Sequence, residues 1–232
     1  MLDTTNLLWY SSLAVEFLFC FYLVWAKLAK SYPVFTICLG CSVLRSLAAM
    51  YFMRGAVGAL LPVKYTYFWL WTEPFWLLLQ IAVALEVHSR MWKDYQSVLQ
   101  QTRPLLLFAL LIALVSAAIP VKAELDRVHA SHLIPLMHFE FLVKRYVSSV
   151  LAIFLILSAA LFVVVVHDAW QSRLLRHEGM LAAYLGIYAS TAFVIEMEWG
   201  RKSLVNGYVS AALTLCFVIW ISAFRPQEVP VE

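Results

Sequence analysis

Glu16, Arg45, Glu73, Lys144 and Arg145 each stand inside a run of otherwise apolar residues, where an ionised group needs a partner. Glu16 lies 11 residues before Lys27, and Arg45 lies 12 residues after Pro33. If both runs are helices joined at that end, the two charges share a depth of ~17 Å, near the centre of a bilayer. An unpaired arginine there costs roughly 2.5–3.5 kcal/mol even on the lenient insertion scale. A buried Glu16–Arg45 ion pair is therefore expected. It would act either as a static lock on helix register or as a switch sensitive to protons or ligand.

Glu73 precedes Pro74, and a proline inside a helix frees a carbonyl one turn back and bends the axis. At 3.6 residues per turn Glu73, Trp76 and Gln80 share a face, with Trp69 one turn outward. This spacing predicts a cavity open to the outside, walled by indoles and suited to a cationic or hydrogen-bond-donating ligand, because ring faces attract positive charge. Lys144 and Arg145 reach a similar depth if their helix starts near Pro135, and either would neutralise Glu73. The alternative is a carboxylate at the headgroups, with the tryptophans forming an interfacial belt.

His129, His132, His138 and Glu140 fall close together, and neutral imidazoles with a carboxylate are suitable zinc ligands. Their spacing is not a diagnostic one, and a polar external loop is the simpler expectation. Cys20, Cys38, Cys41 and Cys216 all lie in apolar runs, where no thiolate would be stabilised, so they are expected to pack rather than react. No cofactor is expected.

These residues must be positioned by membrane helices. Of 232 residues, 63% are apolar and only 13% charged, against ~25% charged in an average soluble chain. In hydrocarbon each backbone polar group must be satisfied within its own segment, so the apolar runs mean helices of ~20 residues. The expected fold is all-α: a polytopic transmembrane bundle forming one domain over 1–232. Its seven spans are placed at 7–26, 33–53, 65–87, 104–120, 140–166, 180–195 and 204–224. The fourth is only 17 residues long between Pro104 and Pro120, and six spans is the rival count should it be re-entrant. The first run has no basic residue before it and carries Glu16 at its centre, unlike a cleaved signal peptide.

Seven spans put the termini on opposite faces, which receive equal numbers of Lys and Arg. Lys27 and Lys30 follow the first span and no basic residue precedes it, so the N-terminus is expected outside and the C-terminus in the cytoplasm. A plasma membrane or bacterial inner membrane fits this arrangement.

The composition excludes a soluble globular domain, a disordered chain and a nucleic-acid binder. The last apolar run, Leu204–Phe224, has no lysine for a retinal Schiff base, and no His-x-x-x-His pair occurs late in the chain for zinc hydrolysis of lipid amides. No phosphate loop, HExxH or nucleophile elbow is present. The expectation is a non-enzymatic sensor, signal-relay or assembly subunit in the lipid bilayer, with a small-solute or proton-coupled transporter as the alternative. Output would pass to a separate cytoplasmic or membrane partner through His88–Arg103 or Trp170–Glu178.

Overall fold

The computed structural model describes residues 4–53, 63–125, 133–166, 173–197 and 202–223. These form seven α-helices: α1 (Thr4–Trp25), α2 (Pro33–Met53), α3 (Val63–Met91), α4 (Gln96–Leu125), α5 (Leu133–Val165), α6 (Arg173–Met197) and α7 (Lys202–Ala223). No strand occurs among the described residues. Four helices carry stretches long and apolar enough to cross a membrane: α2, α3, α4 over Gln96–Pro120 and α5 over Leu136–Val165. Shorter apolar stretches occupy Tyr10–Trp25 of α1 and Gly207–Ser222 of α7. The surface carries large apolar side chains such as Trp71, Phe75 and Val164, an arrangement suited to lipid rather than water. Together with the composition, these helices mark a membrane protein.

The turn between α1 and α2 shows how local chemistry sets helix ends. Lys27 adopts a left-handed conformation (φ 57°) that breaks α1, and its N–H bonds the Val24 carbonyl at 3.1 Å. Pro33 opens α2 at the first helical position, where its missing N–H costs nothing. The next two N–H groups, of Val34 and Phe35, donate to the Glu86 carboxylate of α3 at 3.2 and 2.9 Å. A carboxylate from another helix thus caps α2 and favours its positive dipole end.

Helix neighbours differ from chain order. α1 packs on α2 and α7, α7 on α6, α6 on α5, α5 on α3, and α3 on α2, which closes a ring; α3 and α6 also touch across it. α4 lies outside this ring, with α5 as its main support. At one end of the ring Phe19, Phe35, Phe217 and Trp220 pack together, Phe217 and Trp220 stacked and the other pairs edge to face or tilted, with Phe35 and Trp220 centroids 4.8 Å apart.

Three expectations need correction. The fourth apolar segment, expected as a 17-residue element, is part of one continuous helix of 30 residues, with Pro104 and Pro120 inside it. Prolines that read as boundaries are tolerated in apolar helices, where neighbouring groups take up the freed carbonyls. The His88–Arg103 stretch, expected to lie between the third and fourth spans, is largely helical: α3 continues through Met91 and α4 begins at Gln96. The reason is that His88 and Trp92 are drawn fully inside by hydrogen bonds described below. Likewise His177 and Glu178, expected between the fifth and sixth spans, belong to α6 and are buried.

Candidate ligand site

Three helices converge on Glu73. Its carboxylate is buried at 1% exposure and receives Arg45 Nη2 of α2 on Oε2 and Lys144 Nζ of α5 on Oε1, the latter at 2.9 Å. Arg45 is held further by Nε donating to Thr72 Oγ1 at 3.1 Å, while the Thr72 hydroxyl donates to the Phe68 carbonyl at 2.8 Å. The guanidinium stacks over Trp69, 3.9 Å from the ring centroid, with Trp76 at 5.7 Å. Lys144 also faces the Tyr188 ring of α6 at 5.0 Å. Two cations share one anion, and the Glu140 carboxylate stands one turn before Lys144 on α5. Removing one partner of such a buried cluster leaves an uncompensated charge in low dielectric, which is far more costly than the intact cluster.

A cavity of about 220 Å³ opens beside this triad, lined by Tyr65, Thr66, Trp69, Glu73, Met137, Glu140, Phe141 and Lys144. Glu73 and Trp69 face it as the helical spacing predicts. Trp76 and Gln80 do not. They line a separate void of about 20 Å³ with Ser42 and Tyr184, just large enough for one water. Arg145 is also displaced from the expected site: successive residues on a helix point ~100° apart, and its guanidinium lies 5.7 Å from the Tyr146 ring, outside the cavity lining.

The expected Glu16–Arg45 pair is replaced by two separate contacts. Glu16 accepts a hydrogen bond from Ser42 at 2.9 Å, whereas Arg45 turns to Glu73. Matched depth along two helices does not determine which way each side chain faces. α2 is flanked by α1 on one side and α3 on the other. Ser42 looks to the first and Arg45 to the second. Of the expected metal ligands, His129 and His132 lie outside the described residues, and Glu140 is a cavity wall. His138 is half-buried on α5. Among the described residues no three His, Cys, Asp or Glu side chains come together as a metal site.

Sequence reasoning missed a second polar cluster at the opposite end of α3. Trp92 Nε1–H donates to Ser158 Oγ at 2.9 Å, Ser158 lies 2.8 Å from His88 Nδ1, and His88 Nε2 lies 2.8 Å from Thr102 Oγ1. The Thr102 hydroxyl in turn donates to the Val98 carbonyl at 2.8 Å. One tautomer satisfies every bond: Nε2–H donates to Thr102, and Nδ1 accepts from the Ser158 hydroxyl. Beside it, Glu178 Oε1 lies 4.0 Å from His88 Nδ1, and neither Glu178 oxygen makes a hydrogen bond with another described residue. Between the two clusters, the Gln80 amide and Ser148 hydroxyl are also buried without such partners. A histidine four residues before a tryptophan was visible, but Ser158 and Thr102 lie 70 and 14 residues from His88, and no periodicity links them.

Compared with known protein families, curated proteins and solved structures, the chain matches none. Function must therefore be argued from the geometry.

Proposed function

We propose that the protein is a non-enzymatic membrane sensor or relay subunit whose ligand enters the Glu73 cavity, and that all seven helices cross the bilayer. The observation that carries this reading is the Arg45–Glu73–Lys144 triad. It fastens α2, α3 and α5 together at the wall of a cavity, while the far ends of α3 and α5 are closed by a saturated hydrogen-bond network. A ligand that competes for either end of the triad changes how these helices are held, and α3 and α5 carry that change to the other face. The cavity end is assigned to the outside and the C-terminus to the cytoplasm of a plasma or bacterial inner membrane, where a separate partner reads the inner ends of the helices. Reporters fused before Met1 and after Glu232 test the orientation: only the second should behave as cytoplasmic.

A proton-coupled transporter is the second reading, favoured by the buried and unpartnered polar groups of Gln80, Ser148 and Glu178 spaced along α3, α5 and α6. Proteoliposomes containing a pH-sensitive dye separate the two. Under an imposed pH gradient the sensor reading expects proton leak no greater than in empty vesicles. A leak abolished by Glu73→Gln would replace it with transport.

A further inference from the structure

An apolar groove of about 570 Å³ runs between α3 and α4 with α5 as its floor. Its walls include Leu78 of α3, Leu114 of α4 and Val147 of α5, and Glu140 is the one ionisable residue among them. Glu140 is also a wall of the cavity beside Glu73, so groove and cavity meet at a single carboxylate. Among the described residues Glu140 makes no hydrogen bond or ion pair, while the nearby cation Lys144 is engaged by Glu73 at 2.9 Å.

We infer that this junction binds a cationic single-chain amphiphile, a long-chain alkylammonium, with its nitrogen at Glu140 and its tail in the α3–α4 groove. The inference rests on the reading of the Glu73 cavity as a ligand site and names the ligand class. The charge argument sets the sign. Arg45 and Lys144 both bond Glu73 directly, and Glu140, one turn from Lys144 and within electrostatic reach of both cations, is the acid that neither of them bonds. The Tyr65 and Phe141 rings also line the cavity, and aromatic rings attract an ammonium. An anionic headgroup would instead meet Glu140 head on. The groove's volume falls within the ~300–1,000 Å³ of sites that enclose small-molecule ligands. Because hydrocarbon already surrounds the groove, the tail gains little over lipid. Selectivity must come from the head.

The test uses the full chain in lipid nanodiscs and three probes with the same photoreactive twelve-carbon tail: an amine, a carboxylate and an alcohol. The amine should label α3 and α4 around Leu78 and Leu114, at least fivefold more than the alcohol or the carboxylate, and excess dodecylamine should suppress the labelling. Glu140→Gln should reduce the amine labelling to the level of the alcohol. Leu114→Trp, which fills the groove without touching the charge, should reduce it as well. Asp94→Asn, an exposed acid on the α3–α4 turn, should leave it unchanged. Equal labelling by all three probes would mean ordinary lipid contact and overturn the inference, as would preference for the carboxylate. The sensor reading fails separately: selective, Glu140-dependent labelling without any change in hydrogen exchange at the inner ends of α3 and α6 would keep the site and remove the relay. Conversely, Glu73-dependent binding of propylammonium without amine-selective labelling would keep the cavity as a site and remove the amphiphile.

Discussion

The two ends of α3 hold polar clusters of opposite character. At Glu73 the groups are charged and unequal in number, two cations to one fully engaged anion, and a cavity adjoins them. At His88 the groups are arranged as a neutral chain in which each hydrogen has an acceptor, from Trp92 through Ser158 and His88 to Thr102 and the Val98 carbonyl. The first cluster can exchange partners with an incoming ion. The second has little to gain from any rearrangement, since breaking it strands buried donors and acceptors. The comparison teaches that α3 and α5 are adjustable at one end and pinned at the other, with the buried Glu178 carboxylate beside the pin.

The largest effect should come from Glu73→Leu, which leaves Arg45 and Lys144 buried without their anion. About 3–5 kcal/mol of stability should be lost, measured by thermal or denaturant unfolding in the same detergent. Adding Arg45→Leu to that variant should recover part of the loss, because one stranded charge goes with it. A loss below about 1 kcal/mol for Glu73→Leu would mean that the triad behaves as a solvated surface pair, and the contrast between the ends would collapse. Ser158→Ala should cost less, about 1–3 kcal/mol, by leaving the Trp92 N–H and His88 Nδ1 unsatisfied. Its amine labelling at Glu140 should stay at the wild-type level if the ends differ as argued. A parallel fall in labelling would show that the pinned end governs the adjustable one. The smallest effect belongs to Glu16→Gln, about 1 kcal/mol or less, since Ser42 can donate to the amide oxygen as it does to the carboxylate. A loss approaching that of Glu73→Leu would return Glu16 to the charged centre.

How much of this was legible in the sequence depends on whether depth or facing decided the outcome. Pro33 opens α2 as written, because a proline at a first turn is a local signal. The neutralisation of Glu73 by Lys144 also followed from depth, since a long helix starting before Pro135 brings the lysine level with the acid. Arg45 was at the right depth but had two acids within reach, on helices to either side, and no local pattern states which side of α2 it occupies. Glu86 capping α2 and Ser158 bonding His88 are contacts between helices distant in sequence, so they appear only once the ring of helices is known. Pro104 and Pro120 misled in the other direction: they were given the meaning prolines have in water.

The position of α4 outside the ring has a consequence for the order of synthesis. α3 emerges before its neighbour α5, and the chain must first complete α4, which will not stand between them. Through that interval the polar stripe of α3 lacks Lys144 and Ser158. Glu73 would then be an exposed acid in hydrocarbon but for Arg45, which was made earlier on α2 and already lies beside it. The arginine shields the nascent hairpin, and the lysine completes the cluster only when α5 arrives. Losing Arg45 should therefore reduce the yield of inserted protein more than losing Lys144, even where the two finished variants are equally stable.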